Sequence, residues 1–544
     1  MVKRRAIRET VIMEATKARG DEAPPEALGD LVRAHACSQP EAAAFKLGDQ
    51  ALTFAALDEG SNRAANGLAS LGVSKGDRIA YLGKNHPLYF EVLVAAAKLG
   101  AVMVPVNWRL APPEAAYIID DCQAKVLFVG AGFESLMADI GPRFAFVATF
   151  IGIDAESEIT DYIEWRDAQS PADPIIAVGP GDDALQLYTS GTTGRPKGAA
   201  ITHGALLASR HRGDDTELRE WQKAVPGEVT LLAMPCFHIS GTGTGIATIA
   251  NGTCSIVLPE FDPAKALDLV EAYNISKIFL VPAAIRIMLD HPRVGEVDFS
   301  GLKFITYGAS PIPLELMKAA IKRFGCGFVQ MYGMTETSGT IVTLDPEDHV
   351  PEGSPRMGSV GKPLPGVELR IVDAEGAELP IGTVGEIATR SPKNMRAYWN
   401  LPEATAATID ADGWLRTGDA GYLDEDGYLF LRDRVKDMII SGGENVYPAE
   451  VENAIHSHPK VADVAVIGVP DAKWGEAVKA CVVLKPGEEL GEAEIIAHAR
   501  AHIAGYKCPK SVDFLEDLPR NASGKVLRRE LRTPYWQGRE RAIN

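Results

Sequence analysis

Short apolar runs alternate with amphipathic stretches from about residue 40 to about residue 430. Runs of that kind, interleaved with helix-length segments, predict α/β layers on largely parallel sheets. One stretch is legible almost residue by residue. The apolar run 302–307 ends at Gly308, Pro313 opens a segment with apolar residues at helical spacing, and Gly325 stops it. A second apolar run, 328–331, ends at Tyr332-Gly333. A strand, a crossover helix and a strand form a parallel unit, so both strands present their carboxyl ends at one sheet edge. The loops Gly308-Ala309-Ser310 and Tyr332-Gly333-Met334-Thr335-Glu336 therefore lie side by side. That edge is where open α/β sheets bind ligands.

Near residue 420 the pattern changes. Residues 422–430 read as a hairpin around Asp426-Gly427, and the charged segment 432–437 follows. A helix is expected from about Pro448, strands at 461–469 and 477–484, a helix near 492–503, and a short strand at 512–515. This is a small α+β unit of about 110 residues. With the boundary at Lys436, the chain divides into a large N-terminal domain, 1–435, and a C-terminal domain, 436–544.

Length agrees, since 544 residues are too many for one core. Hydrophobic content of 46% with 24% charged residues is that of a globular chain. The net charge of −18, from 55 basic and 73 acidic residues, argues against a nucleic-acid surface. It leaves room for an anionic small ligand, because a distant field is screened within roughly 10 Å. Residues 1–20 start basic, but Arg8, Glu9, Glu14 and Lys17 interrupt any apolar core, so no secretory signal is expected. Residues 91–98 hold only six apolar positions before Gly100 and read as a buried helix leading into a strand, not a membrane span. Seven scattered cysteines without a CxxC pair suit a reduced, cytoplasmic compartment. His498 and His502 sit at i, i+4 without the Glu of HExxH and read as a packed or solvated face.

The chemistry concentrates in 187–198, Leu-Tyr-Thr-Ser-Gly-Thr-Thr-Gly-Arg-Pro-Lys-Gly, expected between an apolar run and a helical stretch starting near Thr202. Glycines free the backbone to turn N–H groups inward, hydroxyls add donors, and Lys197 adds charge, which together can cradle phosphates. The GK[ST] ending of a Walker A loop is absent.

TSGTTGRPKG resembles the signature loop of the adenylate-forming enzymes, which include acyl- and aryl-CoA ligases, luciferases and the adenylation domains of peptide synthetases. The resemblance extends through MPCFHISG (234–241), YGASPIP (307–313), QMYGMTET (330–337), GWLRTGD (413–419), RDRVKDMIISGGENVYPAEVE (432–452) and PRNASGKVLRREL (519–531), in the family's order. It implies a small C-terminal domain that is mobile, and a cytoplasmic acid–thiol ligase using ATP, Mg²⁺ and coenzyme A. By this resemblance Ser190, Thr192, Thr193 and Lys197 hold the β/γ-phosphates, with Thr189, Gly191 and Gly194 in the same cofactor-binding loop. Gly308 and Ala309 flank the adenine and Tyr332 stacks on it, with Ser310, Gln330, Met331 and Gly333 also counted in the cofactor site. Thr335 contacts the α-phosphate and Glu336 ligates Mg²⁺. Asp419 binds the ribose, and Arg434 reaches ribose or phosphate. Lys525 is the catalytic lysine, Lys436 the pivot of a domain rotation, and Gly442-Gly443 line the thiol tunnel. His238 gates the thiol or touches the acyl carboxylate.

Three alternatives stay open: loading of a carrier protein in place of coenzyme A, a luciferase-like oxygenase, and a non-catalytic nucleotide sensor. The presence of Lys525, Glu336 and Asp419 disfavours the last. Gly241, Gly243, Gly245, Gly308 and Gly339 are expected to leave room in the acyl pocket for a bulky fatty or aryl acid. A homodimer and peripheral contact with a membrane surface are both compatible with the sequence.

Overall fold

A computed structural model of the chain describes residues 27–155, 159–189, 195–208, 218–225, 227–434, 437–441, 444–471, 473–520 and 526–537, with Asp433, Arg434 and Asn445 described by backbone alone. Two large sheets dominate it. In the nine-stranded one, Ala43–Leu47, Cys254–Val257, Val229–Leu232, Lys277–Leu280, Phe304–Gly308 and Gly327–Met334 run parallel in that spatial order, with antiparallel strands added at both edges. The eight-stranded sheet has a parallel set from Asp183–Thr189 through Val102–Val106, Arg78–Leu82, Val126–Gly130 and Thr149–Ile153 to Thr160–Asp161. One apolar cluster joins the sheets, drawing Phe45 and Val257 from the first and Met103 and Leu185 from the second. The helix Pro87–Leu99 lies within it, started by proline and ended by Gly100 in the left-handed region (φ 74°). Its Lys98 is buried yet satisfied, donating to the carboxylate of Asp58 at 2.7 Å and the side-chain oxygen of Asn62 at 2.7 Å.

The strand–helix–strand unit read from the sequence is present. Phe304–Gly308 and Gly327–Met334 pair in parallel, and the helix Leu314–Phe324 joins them, ending at Gly325 with φ 63°. The Asp-Gly hairpin also forms, from strands Leu415–Leu423 and Leu429–Arg434. With Glu368–Val372 and Gly385–Arg390 they make a four-stranded antiparallel sheet. After residue 437 a separate sheet starts with Ile439–Ser441 and Glu444–Val446. The long strands Val461–Asp471 and Gly475–Leu484 follow, with Ser511–Phe514 parallel to the second of them. Helices Pro448–His456 and Glu492–His502 cover this sheet and share its own apolar cluster.

The helix expected near Thr202 is present, His203–Leu207 with Thr202 as its N-cap, but it is preceded by a strand the sequence did not announce, Lys197–Thr202, antiparallel to Asp183–Thr189. Gly-Ala-Ala-Ile-Thr carries too few residues to show alternation, so periodicity could not separate strand from helix there.

Candidate active site

The strand ends converge on a cleft of about 2670 Å³ whose lining includes Thr189, Lys197, His238, Ala309, Met331, Gly333, Thr335, Glu336, Tyr398 and Gly418. Two of its loops hold non-glycine residues in the left-handed region, Ala309 (φ 68°) and Ser338 (φ 50°). Gly308 permits the first turn: a Cβ there would stand 2.2 Å from the Met331 carbonyl oxygen. Any side chain at 308 would wedge the two strands apart.

Thr335–Thr337 forms a single 3₁₀ turn fixed by Thr337, whose hydroxyl accepts from the Met334 amide at 3.0 Å and donates to the Gly339 carbonyl at 2.7 Å. The turn aims Glu336 at a second clamp. Its carboxylate, 5% exposed, accepts from the Tyr398 hydroxyl at 2.8 Å, and its backbone carbonyl accepts from the Met395 amide at 2.7 Å. Tyr398 pairs in turn with Ala199 on the strand opened by Lys197, and the Lys197 ammonium stands 5.0 Å from the Tyr398 ring centre. One aromatic side chain thus ties the cationic loop to the acidic one. Sequence reasoning missed Tyr398, because a lone tyrosine in Arg-Ala-Tyr-Trp carries no motif of its own.

Asp419 follows Gly418 (φ 73°), and one of its carboxylate oxygens accepts from the Tyr332 hydroxyl at 2.9 Å. The ladder sets Arg434 directly opposite Asp419. Gln330 differs. Strand alternation turns it away from Met331, and its side chain accepts from the Tyr307 hydroxyl at 3.2 Å, beside a Tyr307–His349 contact of 2.9 Å. Ser310 does not line the cleft. Ser190, Gly191, Thr192, Thr193, Gly194, Lys436, Gly442, Gly443 and Lys525 lie outside the described residues, as does the Arg434 side chain.

His238 precedes the helix Ile239–Asn251 at the cleft wall. Burial, helped by the positive charge of Arg109, lowers its pKa to about 4, so the ring is neutral at physiological pH. Its Nε2 has no hydrogen-bond partner among the described residues. Arg109 and Lys393 also line the cleft unannounced by any motif, and burial lowers the Lys393 ammonium to about 8.

The five glycines expected to open the acyl pocket divide. Gly243 and Gly339 line the cavity. Added Cβ atoms at Gly241, Gly245 and Gly308 would instead meet Pro235 O at 2.3 Å, the Phe90 ring at 2.0 Å and Met331 O at 2.2 Å. Those three are close-packing residues and give no room. Among the described residues no group of three or more His, Cys, Asp or Glu side chains could hold a metal by itself. His498 and His502 pack ring to ring at 4.4 Å, with the Ser457 hydroxyl 2.8 Å from His498. No described helix is long and apolar enough to cross a membrane.

Comparison with known proteins supplies an independent line. The family model described as AMP-binding enzyme matches residues 32–399, and the one described as AMP-binding enzyme C-terminal domain matches 450–525. A fatty acid–[acyl-carrier-protein] ligase of Streptomyces coeruleorubidus is 41% identical, covering 94% of this chain and 96% of its own. A feruloyl-CoA synthase of Amycolatopsis sp is 40% identical over 94% of this chain and 99% of its own. The crystal structure of ATP-bound MatB from Rhodopseudomonas palustris superposes with a TM-score of 0.84 at 32% identity, covering 93% of this chain and 99% of that one.

Proposed function

The chain belongs to the family of AMP-binding, adenylate-forming enzymes, and from that premise we propose how its residues carry out the two half-reactions of an acid–thiol ligase. The protein is an AMP-forming acyl-CoA synthetase. A carboxylate oxygen attacks the α-phosphorus of ATP, the bond to the β-phosphate oxygen breaks, and pyrophosphate leaves; the thiolate of coenzyme A then displaces AMP from the acyl carbon. Such chemistry needs alignment and neutralisation of charge more than bond-making by the protein.

The observation that carries the reading is the Tyr398 clamp, which brings the Lys197 ammonium and the Glu336 carboxylate to one aromatic side chain in the cleft. Thr189, Lys197 and the loop 190–194 hold the β/γ-phosphates, and Thr335 donates to the α-phosphate. Tyr332 supports the adenine and orients Asp419 for the ribose hydroxyls. Mg²⁺ typically takes one or two carboxylates and completes its shell with substrate phosphates and water, and a single buried Glu336 beside Thr335 fits that requirement. When bound, the ion offsets charge on the departing pyrophosphate. Lys525 offsets charge between carboxylate and α-phosphate in the first step. Rotation about Lys436 then withdraws it and brings Gly442-Gly443 to the thiol path, with the division between domains at 435/436. Seven free thiols support a cytoplasmic enzyme.

The test is product identity. Purified protein with Mg²⁺, ATP, coenzyme A and a panel of fatty and aryl acids is expected to release AMP and pyrophosphate. ADP as the product would overturn the reading. A second acceptor is favoured by one observation: a relative at 41% identity bears the name of a carrier-protein ligase. Thioester formation on free coenzyme A against a pantetheinylated carrier decides which thiol is used.

A further inference from the structure

The cleft does not end at the reacting atoms. Its lining continues along the helix Ile239–Asn251 through Ser240, Gly243, Thr244, Ala247 and Asn251, positions that share one helical face. That face is small throughout, and a Cβ added at Gly243 would meet nothing within 4 Å. The opposite wall is a face of the nine-stranded sheet. Parallel register sets Thr230 beside Lys277 and Phe279 beside Thr306, and all four line the same cavity. From Ser240 to Asn251 is about 16 Å at ~1.5 Å per residue. An extended chain gains about 1.2 Å per bond, so this length spans about thirteen bonds, a chain of about twelve carbons with an oxygen atom at each end.

The far end is polar. Glu228 and Lys277 line it, their ion pair closes at 2.9 Å, and their side chains are only 4% and 16% exposed. Lys277 also donates to the Lys223 carbonyl at 2.9 Å, which leaves the third ammonium proton without a described acceptor. The second Glu228 oxygen, Oε1, is buried and has no hydrogen-bond partner among the described residues. An open acceptor beside an open donor at the end of this channel is a polar site that water or a ligand must complete, and a ligand group reaching it has to replace both hydrogen bonds. A hydroxyl offers one proton and two lone pairs, and so satisfies both groups at once.

We propose that the acid this enzyme activates is a linear chain of about twelve carbons bearing a hydroxyl at or near the end distant from its carboxylate, which donates to Glu228 and accepts from Lys277. This inference rests on the ligase reading above and specifies its substrate.

The experiment measures pyrophosphate release from wild-type enzyme with paired acids, dodecanoate against 12-hydroxydodecanoate and hexanoate against 6-hydroxyhexanoate. The hydroxyl is expected to raise kcat/KM by about tenfold or more at twelve carbons and to give no gain at six. The double variant Glu228→Leu/Lys277→Met, which replaces both partners by apolar groups of similar size, is expected to reverse the twelve-carbon preference. Turnover of plain acids with no hydroxyl gain at twelve carbons overturns the proposal and leaves the ligase intact. So does a gain that survives in the double variant. The chain-length comparison needs no variant, so it decides the matter even if the double variant fails to fold. Failure of every acid to release pyrophosphate would instead remove the ligase reading, and this inference with it.

Discussion

At the scale of single residues, two kinds of side chain carry the predictions. On the proposed mechanism Lys525 acts only in the first half-reaction, because charge must be offset when the carboxylate meets the α-phosphate and not when a thiol meets the finished adenylate. Lys525→Ala is therefore expected to lower adenylation about 100-fold or more. Thioester formation from supplied acyl-adenylate should stay within about twofold of wild type; equal loss of both steps would show that the lysine is structural. The second kind is the buried imidazole. His203 and His238 are both held neutral, chiefly by burial, with pKa values lowered to about 4 from the ordinary 6.5. Between pH 4 and 6.5 the unfolded chain binds more protons than the folded one, so stability rises with pH across that window. His203 also accepts from the Leu28 amide through Nδ1 at 3.3 Å. Replacing it by glutamine, which keeps an acceptor but cannot titrate, is expected to flatten the fall of Tm between pH 6.5 and 4.5. An unchanged slope would assign the acid sensitivity to other groups.

At the scale of elements, the helix Ile239–Asn251 faces the cleft on one side and packs against Phe90 on the other. Gly243 and Gly245 sit two residues apart on those different sides. Both substitutions to alanine gain the same helix propensity, up to about 1 kcal/mol. Gly243→Ala meets open space and is expected to hold or raise Tm, whereas Gly245→Ala puts a methyl 2.0 Å from the Phe90 ring and should cost about 1–3 kcal/mol. Thermal unfolding of the two variants in parallel checks this, and equal Tm values would place Gly245 in open space as well. The sequence could not separate these glycines, because smallness reads alike whether it makes a cavity or closes a contact. What was legible was local and repeated: the parallel pair ending at Gly308 and Met334, its crossover helix, and the Asp-Gly hairpin all follow from periodicity and turn chemistry. The Tyr398 clamp and the Glu228–Lys277 pair were not legible. Each joins residues 49 or more positions apart through single side chains, and nothing local marks either partner.

At the scale of the whole molecule, the question is where a rigid fold yields. Arg434 still holds its place opposite Asp419 in the four-stranded sheet, and by Ile439 the chain has entered the C-terminal sheet. Asp437 already belongs to that second body, since its carboxylate meets Arg532 at 2.9 Å and Arg528 at 3.9 Å, and Arg528 is bound in turn to Glu452 at 2.8 Å. On the proposed rotation of one sheet against the other, the pivot is expected at 436, between the placed residues Arg434 and Asp437. Proline at 436 would fix φ near −65°, bias residue 435 towards extended backbone and remove an amide donor. Lys436→Pro is expected to keep acid-dependent pyrophosphate release within about threefold of wild type, because the first step needs no rotation, while coenzyme A transfer slows about tenfold or more. Single-turnover measurement of the two steps separates them. If transfer keeps its wild-type rate, the pivot lies outside 435–436. If both steps fall together, proline has displaced the C-terminal sheet from its docked position.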